Sequence, residues 1–242
     1  MAPRSKTVIV TGGSQGIGAA TVDLLLERGY SVIANSRHII AKNDLVPSER
    51  LVLVEGDIAL PATADKLVEA AMTRFGSLDA LVNSAGIFIS KPFTDYTAAD
   101  FRSLSTTNLD GFLFITQNAI KQMLAQGAGG SVVTITASIA DHPLAALPAS
   151  VAMITKGGIN AISQSLALEF AKQRIRVNTV APGFVDTPLL NGIDKDFLRS
   201  QSPMSAIASA RDIAEAVLYL TEAQHVTGEV LRVNGGSHVG KW

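Results

Sequence analysis

The 242-residue chain contains no cysteine, one tryptophan and only three tyrosines, with aromatics at 5%. The missing thiols exclude disulfides, thiolate metal ligands and a cysteine nucleophile together. Charge of one sign is missing too. Twenty basic and 21 acidic residues leave a formal net charge of −1, which favours neither a nucleic acid nor an anionic membrane surface as partner. No apolar run approaches the roughly 20 residues of a spanning helix, so no membrane attachment is expected. The opening MAPRSKTVIVTGG passes quickly into a short β-branched run ending in glycine, unlike a secretory signal with its longer apolar core, and a cytoplasmic location is expected. The histidines at 38, 142, 225 and 238 lack ligand spacing, so no metal site is expected.

Hydrophobic residues make up 47% of the chain, enough to fill one large core in a single domain over 1–242. Short runs rich in Val, Ile and Leu recur at 7–11, 31–35, 51–55, 80–84, 131–136, 176–181 and 229–233. They do not alternate, and segments of helical spacing separate most of them. This pattern predicts an α/β fold: a doubly wound Rossmann-type domain of about seven parallel strands with helices on both faces. The clearest helices are expected over 16–29, 61–75, 98–124, 149–173 and 211–220. The link from Ser36 to Arg50 contains Asn43, Asp44 and Pro47 and does not predict a full helix. Residues 186–209 mix proline, glycine, serine and charges, as in a surface segment able to move over a site.

In TGGSQGIG, Gly12, Gly16 and Gly18 stand where the first strand gives way to the first helix. Glycines there allow a tight turn and close approach to a pyrophosphate, which the free N–H groups of the helix start would face. About 20 residues on, where an NAD site usually places Asp or Glu against the ribose, the chain reads Asn35, Ser36, Arg37. No carboxylate repels a 2′-phosphate, and Arg37 can bind one through a charge-assisted fork. NADP(H) is therefore expected in preference to NAD(H).

The TGGSQGIG turn, Asp57 in EGDI, NSAG at 83–86, Asn108 in TTNLDGF, Ser138 in TITASIA, Lys156 in TKGG, NTVAPGFVDT at 178–187 and TGEVLRVNGG at 227–236 occur in order. In this the chain resembles the short-chain dehydrogenase/reductase family over nearly its whole length. The resemblance implies that Ser138 holds the substrate oxygen and that Lys156 binds the nicotinamide ribose and lowers the pKa of a neighbouring acid. Asn108 would hold a water linking Lys156 to solvent, or its buried amide would bridge backbone groups. Around the cofactor the resemblance implies Gly12, Ser14, Gln15, Gly16, Ile17 and Gly18 at the phosphates, and Ser36, Arg37, Asp57 and Ile58 at the adenosine. Asn83, Ala85 and Gly86 would pass beneath the ribose, and Pro182, Gly183, Val185 and Thr187 would line the nicotinamide. It also implies a homodimer or homotetramer built on helices 98–124 and 149–173, whose Phe112, Phe114, Ile115, Ile159, Ile162, Leu166, Leu168 and Phe170 exceed what one sheet face requires. Trp242 is a further candidate interface residue.

The family pattern is Tyr-x-x-x-Lys, one helical turn that puts phenol and ammonium on one face. Four residues before Lys156 stands Ala152, and neither Val151 nor Met153 can donate a proton. Tyr30, Tyr96 and Tyr219 fall in other parts of the fold. A positioned general acid contributes ~10²–10⁴-fold. Without it, proximity, Ser138 and Lys156 still support slow turnover. The lost ring leaves space for a water or a bulkier substrate, provided its neighbours do not collapse. A water held by Lys156 and Ser138, or His142, is a candidate replacement acid. Three readings stay open: an NADP(H)-dependent oxidoreductase of a small alcohol or carbonyl with weakened proton transfer, a non-catalytic NADP(H)-binding sensor or inactive partner, and an engineered inactive variant. Leu144, Leu147, Met153, Phe184, Leu189 and Leu190 suggest an apolar substrate pocket.

Overall fold

The computed structural model describes residues 5–39 and 47–240. Trp242 and the middle of the Ser36–Arg50 link lie outside the described residues. Six strands appear in succession: β1 (Thr7–Thr11), β2 (Ser31–Ser36), β3 (Leu51–Glu55), β4 (Ala80–Asn83), β5 (Gly130–Ile135) and β6 (Ile175–Pro182). A separate two-rung ladder pairs β7 (Val185–Asp186) with β8 (Ala208–Ser209), and β9 (Val230–Val233) completes the main sheet. That sheet is all parallel in the order β3-β2-β1-β4-β5-β6-β9, the single doubly wound domain expected. The winding reverses between β1 and β4, which opens a crevice at their carboxyl ends.

Register explains why the strands read as continuous apolar runs. Ile33, Ile9, Leu81, Val132 and Val177 lie in one row across five strands. They face a layer formed by α2 (Pro61–Phe75), α4 (Gly111–Gln126) and α5 (Ser150–Glu169). One residue along, Val8, Val10, Val32, Ala34, Val82 and Val133 turn to the opposite side. There they meet Val22 and Leu25 of α1 (Gly16–Glu27) and Ile213 and Val217 of α7 (Ala210–Glu222). Both faces are thus buried, so neither alternates with polar residues.

The segment 98–124, expected as one helix, is three elements: α3 (Ala98–Ser105), a π-turn at Thr106–Asp110, and α4. The cause is the buried amide of Asn108. Its Oδ1 accepts the Ile87 N–H at 2.9 Å, and its Nδ2 donates to the Ile87 carbonyl at 3.1 Å and to Thr155 Oγ1 at 3.0 Å. The wider turn admits the residue that makes this reach. Helix 149–173 likewise stops at Glu169 and gives way to a 3₁₀ turn at Ala171–Gln173.

Of the apolar surface on α4 and α5, Phe112, Ile115 and Ile159 are buried within the monomer, and Phe114, Leu166 and Phe170 pack partly buried on the core. Ile162 and Leu168 remain exposed, the latter 83%. No helix among the described residues is long and apolar enough to cross a membrane, and no cluster among them is placed to hold a metal ion.

Candidate active site

At the end of β1, the Thr11 hydroxyl accepts the N–H groups of Ser84 at 3.2 Å and Ala85 at 3.1 Å. This draws the following turn against the chain leaving β4. No side chain fits at Gly12: its φ is 67°, and a Cβ would stand 2.8 Å from the backbone of Ala85. A Cβ at Gly18 would collide with the Gly12 carbonyl. The helix α1 therefore begins directly under the turn. Its N-cap Gln15 makes no side-chain cap and its first turn carries no acid, so free N–H groups and the positive end of the dipole remain for a phosphate. Gly12, Ser14, Gln15, Gly16, Ile17 and Gly18 all line one cleft of about 960 Å³. This cradle fits a dinucleotide's pyrophosphate.

Ser36, Arg37, Asp57 and Ile58 line the same cleft at the ends of β2 and β3. Asn35 is occupied otherwise, its Nδ2 donating to the carbonyls of Val54 at 3.0 Å and Gly56 at 3.1 Å. Ser36 Oγ is buried without a partner and Arg37 beside it is exposed. A buried unpaired hydroxyl costs about 1–3 kcal/mol, and a ligand oxygen would relieve it. Asp57 accepts the Ala59 N–H through Oδ1 at 3.0 Å.

Across the crevice, Lys156 Nζ donates to the Ile135 carbonyl at 2.9 Å. A Cβ on Gly86 would stand 3.3 Å from Lys156 Nζ and 3.2 Å from Asn108 Oδ1, so these three residues meet. Burial lowers the pKa of Lys156 to about 8, because the ammonium loses hydration that the neutral amine does not need. Ser138 opens the 3₁₀ turn Ser138–Ala140 after β5 and lines the cleft with Lys156. Ala85, Gly86, Pro182, Gly183, Val185 and Thr187 line it as well.

Two expected site residues do not. Asn83 and Asn108 are buried and face a cavity of about 10 Å³ behind Lys156, together with Thr11 and Thr134. Alternation along β4 sends the Asn83 side chain into the core, where Nδ2 donates to the hydroxyls of Thr116 at 3.0 Å and Thr134 at 3.3 Å while Oδ1 has no partner. A cavity of this size is at the lower limit for one water.

Ala152 is fully buried. It packs with Leu104, Ala149 and Val151, and Ile87, Phe88, Ile139, Tyr96 and Met153 close around this cluster. It lines neither cavity. The space expected at this position is therefore sealed by aliphatic and aromatic side chains rather than open to water or substrate. None of the tyrosines substitutes. Tyr30 donates to Glu222 Oε1 at 3.0 Å, Tyr96 donates to the Ile89 carbonyl at 2.7 Å, and Tyr219 is exposed on α7. His142 is not part of the cleft lining either; its ring stands edge-on to that of His238 with centroids 5.7 Å apart.

Of the expected pocket residues, Leu144, Leu147, Phe184, Leu189 and Leu190 line the cleft, whereas Met153 packs beside Ala152. Sequence reasoning missed Ile87, Phe88 and Ile139, and also Ile193, Phe197 and Met204 of the segment between β7 and β8. They come from separate segments, Phe197 from the short helix α6 (Lys195–Ser200), and no periodic signal unites them.

A family model described as enoyl-(acyl carrier protein) reductase matches residues 12–238. Carbonyl reductase family member 4 of Xenopus tropicalis is 35% identical over 233 residues, covering 96% of this chain and 98% of that protein. An NADP-dependent (R)-specific alcohol dehydrogenase of Lentilactobacillus kefiri is 34% identical over 248 residues, covering 96% of each. Among solved structures, ElxO with NADP bound is similar with a TM-score of 0.88 at 27% identity, covering 98% of this chain and 100% of that one.

Proposed function

The chain belongs to the short-chain dehydrogenase/reductase family, and on that footing we propose that it is an NADP(H)-dependent oxidoreductase of a small alcohol or carbonyl compound. The observation that carries this reading is the convergence of the Gly12–Gly18 cradle, Ser138 and Lys156 on one cleft. Preference for the phosphorylated cofactor is supported by the unpartnered Ser36 Oγ beside Arg37.

A bound nicotinamide would supply the hydride chemistry. Gly12, Ser14, Gln15, Gly16, Ile17 and Gly18 would hold its phosphates, and Ser36, Arg37, Asp57 and Ile58 its adenosine half. Ala85 and Gly86 would form the floor, and Pro182, Gly183, Val185 and Thr187 would flank the ring. Lys156 holds the ribose and places a positive charge near the developing alkoxide. Ser138 donates a hydrogen bond to the substrate oxygen. The proton for that oxygen comes from a water held by Ser138 and Lys156, because Ala152 supplies none. Turnover is accordingly weak. Asn108 positions Lys156 from behind, through Thr155 and the chain at Ile87. Residues 187–207 close over the substrate, and the exposed apolar side chains of α4 and α5 join subunits into a homodimer or homotetramer.

A second reading, a cofactor-binding protein without turnover, is favoured by the sealed surroundings of Ala152. Fluorescence titration with NADPH and NADH, followed by single-turnover assays, tests both. Tighter NADPH binding is expected. Equal or tighter NADH binding overturns the cofactor preference, the absence of any complex overturns the function, and binding without hydride transfer to any carbonyl selects the second reading.

A further inference from the structure

The two halves of the cleft differ in charge. Arg37 and Asp57 stand at its β2–β3 end. Asp212 is the other carboxylate along it, and it is occupied, accepting the backbone N–H and the hydroxyl of Ser209 at 2.7 and 2.8 Å. Apart from these, His38 and Lys156, no charged side chain lines the cleft among the described residues. At the opposite end, one side of the wall is Ile87, Phe88, Ile139, Leu144 and Leu147; the other is Phe184, just before β7, with Leu189, Ile193, Phe197 and Met204 from the segment between β7 and β8. Ser90, Gln201, Ser202, Asn234 and Ser237 are neutral polar members, and Ser202 Oγ and Asn234 Nδ2 are buried without a partner.

Four basic residues close in sequence to cleft-lining positions are committed to carboxylates. Lys91 pairs with Asp100 at 2.8 Å, Lys195 with Asp186 at 2.9 Å, Arg199 with Asp196 at 2.7 Å and Arg232 with Asp141 at 2.9 Å. Beyond Lys156, which faces the cofactor, an anionic substrate would thus leave water without a further cation to receive it, and an acidic carrier domain would meet neutralised pairs. The apolar rim, by contrast, stands ready to be covered: Met204 is 73% and Ile193 40% exposed although both line the cleft. Covering such side chains with an apolar ligand is favourable at about 25 cal/mol per Å².

We propose that the substrate end of the cleft selects a neutral, predominantly apolar ketone or secondary alcohol, and disfavours carboxylates, sugars and carrier-protein thioesters. This rests on the hydride-transfer reading of the same site. Reduction of such a ketone consumes one NADPH and one proton from water and yields the alcohol and NADP⁺, with no further reactant.

The test is calorimetric titration of the protein, with and without saturating NADP⁺, using an aryl alkyl ketone, a 3-oxocarboxylate and an aldohexose as probes. The aryl ketone is expected to bind tighter than the other two by roughly 10-fold or more. Ile193→Asp and Met204→Asp, both at exposed positions, should weaken the ketone by a similar factor while the NADPH dissociation constant stays unchanged. Equal or tighter binding of the carboxylate or the sugar overturns the proposal, as does unchanged ketone affinity in both variants. Failure of NADPH to bind would instead overturn the oxidoreductase reading, and ketone selectivity in the cofactor-free protein would still decide the wall chemistry.

Discussion

The dinucleotide end of the cleft and the substrate end are built by different means. The first is made by backbone: Gly12 against Ala85, Gly18 under Gly12, Asn35 tying β2 to the chain after β3. Most positions there are fixed by a strand register or a turn, and what stays free, the N–H groups at the start of α1 and Ser36 Oγ, lies along the cleft. The second is made by side chains carried on loops, with apolar contacts that tolerate exchange. Ala152 sits on α5, the helix that also carries Lys156, in a cluster that shares Ile87, Phe88 and Ile139 with the second.

The contrast can be broken by restoring the phenol. Ala152→Tyr should raise single-turnover NADPH oxidation by about 10²–10⁴-fold, the range of one positioned acid. It should also lower the melting temperature, because overfilling a packed cluster costs about 1–3 kcal/mol. An unchanged rate would place the fault outside position 152. Next in size, Gly18→Val should weaken NADPH by about 100-fold or more in a fluorescence titration, as its branched side chain meets the Gly12 carbonyl. The substrate wall should be unaffected, so retained ketone binding would show that the two ends are independent.

A pH profile sharpens the comparison further. The ammonium of Lys156 exists below its pKa of about 8 and is lost above it. If that charge supports hydride transfer, the rate should fall by about 10-fold per pH unit above that value, and a flat profile to pH 10 would exclude it. The smallest effect is expected for Arg37→Ala, which should weaken NADPH by about 10-fold and leave NADH unchanged, the loss of one charge-assisted contact. Parallel loss for both cofactors would remove Arg37 from the 2′-phosphate.

How far the sequence was legible follows the same division. The seven strands were readable because residues such as Ile9 and Leu81 belong to runs buried on both faces. The cradle was readable because a glycine there answers a steric demand within a few residues. The break at Asn108 was not, since its causes, Ile87 and Thr155, lie far along the chain. The β7–β8 ladder was missed because two-residue strands carry no period. Ala152 was conspicuous as an absence, yet what enclosed it depended on Leu104 and Phe88, which only the fold brings near.

The ladder joining Val185–Asp186 to Ala208–Ser209 has a consequence of its own. It staples the two ends of residues 187–207 to each other before that stretch reaches anything else, and α7 starts at once behind the second rung. What lies between the staples is a cassette. Thr187 still lies against Gly16 of the cradle, but beyond it the length and contents of the cassette can be exchanged without the sheet registering the change.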